Sequence, residues 1–179
     1  MNPLRRHILT ALLAIGPVIA FAHPTGTDPS SLVTQTLTVG GRVRISLSLT
    51  PDALKAYPVQ NPPDIALKNR KGETQRVLKG YSGAKLIDLL DKATLVAADP
   101  NDLKRTIIVA TASDDYKAVF SWNELYNTSV GDGVLVLYAK EGKPLADDEG
   151  RIALISINDI GTGPRHVRWL KDVEVRKID

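Results

Sequence analysis

Three short clusters in the sequence carry side chains able to do chemistry. Arg165, His166 and Arg168 follow a Gly-rich stretch, and an arginine donates planar, paired hydrogen bonds to an anion or a carbonyl. If this stretch is an extended strand, Arg165 shares a face with Val167 and Trp169 while His166 and Arg168 share the other. One ligand then meets all three only where the loop bends, and a solvated strand end carrying surface charge is the plain alternative. Asp114, Asp115 and Tyr116 form the second cluster: carboxylates accept donors in pairs, and tyrosine offers a ring face and a hydroxyl. The alternative is an ordinary Asp-rich turn. Tyr81 and Ser82 precede a predicted helix at Ala84, whose first backbone N–H groups favour an anionic or carbonyl ligand. Taken alone, Tyr81 also fits the edge of a core.

The 179-residue chain has no Cys, which excludes disulfides, thiolate zinc sites and a cysteine nucleophile. A serine-hydrolase reading has neither a Gly-x-Ser-x-Gly elbow nor a placed nucleophile beside His166. Hydrophobic residues at 43% and charged residues at 24% sit at the globular average, against a disordered chain. Acids are interspersed with the bases and aromatics are only 5%, so the clustered positive charge and stacking platforms of a nucleic-acid binder are missing.

Residues 1–22 read as a cleaved secretory signal: Arg5 and Arg6, a mainly apolar run from Ile8, and small residues at Ala20 and Ala22. The run is short for a membrane span and contains Gly16-Pro17. Its removal takes two of the 23 basic residues and no acid, so 21 bases face 20 acids and the basic character largely disappears. The expectation is an exported, periplasmic chain, with 23–179 as one domain that relies on packing. Cleavage after Ala22 would leave His23 at the N-terminus, where a free amine and imidazole chelate copper. That chemistry needs a second imidazole, for which only His166 remains, and a mobile arm is the plain reading.

The patterning that must position these residues is strand-rich. Leu32–Val39 and Val43–Leu49 alternate about Gly40-Gly41 as a hairpin, with Val43, Ile45, Leu47 and Leu49 on one face. Thr50-Pro51 caps a short helix to about Tyr57. Ile65–Leu67 and Arg76–Leu78 flank a turn, and Ala84–Ala93 has leucines at helical spacing. Thr106–Ala110 and Ala118–Phe120 are strands, and Ser121 to Glu124 fits a capping box. Val134–Tyr138, Ile152–Ile157 and a last strand through Val167, Trp169, Val173 and Val175 complete a mixed, mainly β, α+β chain. Trp122 and Trp169 fit a core better than a ligand platform.

Four stretches, in order, carry a resemblance to a known family. "GYSGAKLIDLLDKA" is similar to an aromatic-x-Gly-x-x-Leu-x-Asp-Leu-Leu helix entry. "ATASDDYKAVFSWNEL" is similar to an Ala-x-Asp-Gly-Tyr turn with a following capped helix. "GDGVLVLYAKEGKPL" is similar to a Leu-Leu-Ala strand with an Asn-Gly-x-Pro-Leu turn. "GRIALISINDIGTGPRHVRWLKDVEV" is similar to the closing Gly-Pro-Leu-Arg-Leu and Arg-x-Val-Lys/Arg strands. Together they resemble the oxidoreductase molybdopterin-binding domain of the sulfite oxidase family, over Arg76 to Val175.

The resemblance implies a sulfite-oxidase-like fold with a pterin or molybdopterin-like ligand. It further implies that Tyr81, Ser82, Asp114, Asp115, Tyr116, Arg165, His166 and Arg168 contact that ligand. Catalytic members hold molybdenum through a cysteine thiolate, a soft ligand this chain lacks. Asn69-Arg70 falls near where that thiolate is expected. The family's Asp-Gly-Tyr is Asp114-Asp115-Tyr116 here, one carboxylate more. The expectation is therefore a non-catalytic pterin-binding protein, like the small cysteine-free periplasmic members that signal to a membrane-bound cyclic-dinucleotide enzyme. The rival expectation is a molybdopterin-dependent oxidoreductase, or a subunit of one, that holds its metal without cysteine.

Overall fold

A computed structural model describes residues 29–179. The expected signal at 1–22 and the copper reading of His23 lie outside the described residues.

The described chain opens with a single helical turn, α1 (Pro29–Leu32), before β1 (Leu37–Gly41) and β2 (Leu47–Leu49) pair antiparallel. The expected hairpin is present, with the first strand starting at Leu37 rather than Leu32 and residues 42–46 between the strands. Ile45 faces solvent instead of joining Leu49 in the core, because residues 43–46 leave the ladder and bond to the end of a later helix through Arg44 N to Thr94 O and Ile45 N to Ala93 O. The helix α2 (Pro51–Leu54) is capped as the sequence predicts: Thr50 Oγ1 accepts from Ala53 N at 3.2 Å, and Pro51 opens the first turn.

The strands β3 (Ile65–Lys68) and β4 (Thr74–Leu78) form an antiparallel hairpin. After them, β5 (Tyr81–Lys85) runs directly into α3 (Leu86–Ala93). Here the expectation is corrected: Tyr81 and Ser82 lie in a strand paired with Lys140 and Ala139, and the helix starts two residues later than predicted. The leucine spacing holds, with Leu86, Leu89, Leu90 and Ala93 buried. A short helix that the sequence reading missed, α4 (Pro100–Lys104), is capped by Asp99. It precedes β6 (Thr106–Ala112), β7 (Lys117–Ser121), α5 (Trp122–Asn127) and α6 (Ser129–Asp132). The Ser121–Glu124 capping box is closed in both directions.

The last part of the chain holds β8 (Val134–Lys140), the two-residue β9 (Lys143–Pro144), β10 (Ala153–Ser156), a 3-10 turn at Gly163–Arg165 and β11 (Leu170–Lys177). The final strand begins at Leu170, not Val167. Val167 makes an isolated bridge to Leu154, and Trp169 has a left-handed backbone, φ +49°. The face alternation expected for Arg165 to Trp169 therefore does not apply, because this stretch is a turn and a bend.

The architecture is mixed α+β and mainly sheet. One five-stranded sheet has the order β2-β1-β11-β6-β7, parallel only between β1 and β11, and a second has β10-β8-β5 with β9 at the edge of β8. The strand β8 shows how the layers stack. Its first six residues are all buried, with Val134, Val136 and Tyr138 in the main core beside Ile108, Phe120 and Leu170, while Leu135 and Leu137 face a second core. That second core is closed by Ile65, Leu67 and Leu78 of the β3–β4 hairpin and by Tyr81 and Leu145. A strand apolar on both faces requires cover on both sides. The hairpin supplies the second cover and so brings its turn next to the loop before β11.

The backbone at Glu149-Gly150 fixes that loop. Trp169 N donates to Glu149 O at 2.9 Å, and Gly150 has φ +80° with an added Cβ falling 2.8 Å from Trp169 Cα. Gly150→Ala is expected to cost about 2 kcal/mol or more from strain and overlap, lowering Tm by roughly 4–8 °C. Gly142→Ala, at φ +73° in open space, should cost only about 1 kcal/mol. Thermal unfolding of the two variants side by side checks the difference.

Candidate functional site

A cleft opens where the β3–β4 turn, the 113–116 turn and the 161–168 segment meet. It has two adjoining lobes of about 380 and 420 Å³ that share Arg76, Tyr116, Gly163 and His166. The first lobe adds Asp114 and Arg168, and the second adds Lys68, Asn69, Arg70 and Pro164 among its walls. Each volume lies in the roughly 300–1,000 Å³ range of small-molecule pockets.

Local bonds hold the rim. Asp114 Oδ1 accepts from Tyr116 N at 3.0 Å, closing an Asx turn, and Tyr116 Oη donates to Pro164 O at 2.6 Å. Across the cleft, Thr162 Oγ1 donates to Ala66 O at 2.6 Å and accepts from Lys68 N at 2.9 Å, which fastens the Gly-rich loop to β3. Gly163 permits that approach, since a Cβ there would lie 2.8 Å from Lys68 O. The Arg168 guanidinium stacks over Trp169 at 4.4 Å from the ring centre and donates to Asp148 O at 3.3 Å.

The floor is a buried ionic group. His166 Nε2 lies 2.9 Å from Glu149 Oε2, and both side chains are 6% exposed. The two atoms face each other off the line of a well-formed hydrogen bond, and neither has another partner. The other oxygen of Glu149 accepts from Arg76 Nη2 at 2.5 Å. Burial opposes the carboxylate charge, yet His166 and Arg76 outweigh it and hold Glu149 below its ordinary value. Behind this group, burial together with the Glu149 charge pushes the Tyr81 phenol up to about 12. Tyr81 stays neutral there.

Of the eight expected contacts, Asp114, Tyr116, His166 and Arg168 line this cleft. The other four do not. Tyr81 is buried in the second core and borders a separate cavity of about 140 Å³ beyond Arg76 and Glu149. Ser82 Oγ donates to Asn61 Oδ1 at 2.7 Å. Asp115, at φ +66°, points its exposed carboxylate toward Lys171 at 3.6 Å. Arg165 turns inward as a clamp. Its Nε and Nη2 donate to Asp159 at 2.6 and 2.5 Å, its Nη1 donates to Glu124 at 2.8 Å, and its guanidinium covers the Phe120 ring at 4.5 Å. Both acids being engaged in ion pairs with Arg165, its donors serve the fold.

Sequence reasoning missed Arg76, Glu149 and Lys68. In sequence Arg76 belongs only to a short strand, and Glu149 sits among Asp147, Asp148 and Gly150 with the appearance of a solvated turn. Asn69-Arg70, singled out from the resemblance, does border the second lobe.

No protein-family model matches the chain, and no curated protein matches it in sequence. Among solved structures, the sulfane dehydrogenase SoxCD from Paracoccus pantotrophus is similar, with a TM-score of 0.57 and 17% identity over 84% of this chain. This chain spans 39% of that chain's length. The likeness is one of fold, a mixed α+β arrangement found within part of a dehydrogenase.

Two outcomes test the framework of the site. Arg165→Ala leaves Asp159 and Glu124 without their cation and should destabilise by about 2–4 kcal/mol in denaturant unfolding. Glu149, with a lowered folded pKa, contributes stability that is present above the ordinary Glu value of 4.5 and lost as pH falls through the folded value. Unfolding midpoints of wild type should therefore drop on acidification, with that part of the pH dependence missing in Glu149→Gln.

Proposed function

We propose that this chain is an exported pterin-binding protein that holds a pterin or molybdopterin-like ligand in the Arg76–His166 cleft without thiolate-bound molybdenum. The observation that carries the reading is the convergence of Asp114, Tyr116, His166 and Arg168 on one cleft. The fold likeness to a sulfane dehydrogenase supports a redox-enzyme scaffold, as the sequence resemblance implies.

The residues suit the ligand class. The edge of a pterin ring presents adjacent N–H donors and a carbonyl. Asp114 keeps Oδ2 without a protein partner, so it accepts from the donors, while the Arg76 and Arg168 guanidinium groups supply donors for the carbonyl. The Tyr116 ring, whose hydroxyl is already committed to Pro164 O, offers its face for stacking. The thiolate-held metal does not suit this chain. There is no cysteine, and the cleft's donors are guanidinium, ammonium, imidazole and carboxylate groups. In this reading the ligand is bound without molybdenum catalysis and its occupancy is passed to a membrane-bound signalling partner. The rival is a molybdopterin-dependent oxidoreductase or its subunit, in which the cleft supplies only the ligand's seat.

The test is calorimetric titration of the purified protein with tetrahydrobiopterin under anaerobic conditions. Binding with Kd of about 1–100 μM is expected, weakened about 3- to 10-fold by Tyr116→Ala through loss of stacking. Absence of binding at millimolar ligand overturns the reading. Near-stoichiometric molybdenum in protein purified from its own host would replace it with the enzyme.

A further inference from the structure

A further cavity of about 530 Å³ lies where α2, the β8–β9 turn and the residues ahead of β1 meet, and it shares no lining residue with either lobe of the cleft. Its size is that of a small-molecule pocket. Tyr138 reaches it from inside the protein. This residue is 5% exposed and belongs to the main core, yet its hydroxyl lines the cavity without a protein partner. Nor is the hydroxyl sealed off, since the described side-chain atoms that are both buried and unpartnered are on Arg42, Glu149 and His166 alone. A tyrosine buried to that depth ordinarily pairs its hydroxyl within the protein. This one offers it to the cavity.

The charges around the cavity leave one cation over. Lys55 Nζ donates to Asp52 at 2.7 Å, and Arg151 holds Asp147 at 3.0 Å while donating to Leu145 O at 3.2 Å. Thr50 commits its hydroxyl oxygen to the cap of α2. Lys143, exposed on β9, has no acidic partner. Counting the Asp147 bound to Arg151, three cations stand against two carboxylates. A dianion would exceed that surplus and meet the Asp52 charge in the same wall, whereas a single carboxylate matches it. Pro51, Ala139 and Pro144 complete the walls and suit an apolar body.

We propose that this cavity is a second ligand site, for a small organic monocarboxylate whose acid group takes the Lys143 ammonium and the Tyr138 hydroxyl as donors while its apolar body lies against Pro51 and Pro144. Because the cavity and the cleft have no lining residue in common, failure of either reading leaves the other standing.

Benzoate is the probe, with benzamide as its uncharged counterpart, followed through backbone amide NMR shifts of the purified protein. Benzoate should move the amides of Thr36, Ala139 and Lys143 with Kd of about 0.1–5 mM, and benzamide should bind about 3- to 10-fold more weakly. Tyr138→Phe keeps the core ring and removes the hydroxyl. It should weaken benzoate by about 3- to 10-fold with Tm unchanged or raised, because the hydroxyl has no protein bond to lose. Lys143→Gln should weaken benzoate by about 2- to 5-fold. Benzoate that moves none of these amides at about 20 mM, that binds either variant as tightly as wild type, or that binds no better than benzamide overturns the inference. A Tm lowered by Tyr138→Phe assigns the hydroxyl to the fold and overturns it as well. Shifts confined to the Arg76–His166 cleft do the same and assign the carboxylate to that cleft.

Discussion

A carboxylate withdrawn from water has to be neutralised where it stands, and Glu149 imposes that requirement on this fold. Its two oxygens draw Arg76 from β4 and His166 from the segment before β11 to one point, and those residues lie 73 and 17 positions away in sequence. Breaking such a group by removing one partner costs far more than its formation contributes, since the remaining charge is stranded. The β3–β4 hairpin is thereby tied to the loop before β11 by charge as well as by the apolar cover it lays over β8. The cleft exists because these two ties meet at one end of the hairpin, where Thr162 and Gly163 allow the loop to approach Lys68.

A second ionic arrangement does related work with a different result. Arg165 gathers Asp159 and Glu124, and Glu124 also closes the cap of α5. The guanidinium is therefore part of the joint between the 3-10 turn and the helix that follows β7. Adjacent residues in one motif divide their labour: Arg165 faces inward to the scaffold, and His166 and Arg168 line the opening. Along a regular strand neighbours face opposite sides, yet here the division arises from a turn, and it sets His166 with Arg168 for a different reason.

Much of the fold could be read from local signals. The Thr50 and Ser121 caps, the leucine spacing of α3 and most strands depend on residues within a few positions of one another, and those survive in the structure. The misreadings share a physical origin. Gly80 to Gly83 looks like a chain break because glycine is common in turns, but Gly83 sits in β5 because a side chain there would collide with Val136 O at 2.5 Å. The segment from Val167 to Trp169 alternates like a strand, but its hydrogen bonds go to Leu154 and Glu149 individually. In the site, the Asp114 turn and the His166 motif were legible through the resemblance. Arg76 and Glu149 were not, since their importance lies in a pairing across long sequence separation that no local pattern encodes.

The same pairing bears on what the cleft can hold with no thiolate in its walls. A metal held by thiolate brings a large fixed charge into a site and sets the protonation of its neighbours. In this cleft the fixed charges are the protein's own, with Arg76, Arg168, Lys68 and Arg70 around a single buried carboxylate and the rim carboxylate Asp114. Four cations cannot all be satisfied by two acids, so the surplus is open to an incoming anion or to carbonyl oxygens. Stability alone would be served as well by apolar residues of similar volume. The charge gathered here gives the cleft donors for acceptor groups, which is the basis of the recognition proposed for it.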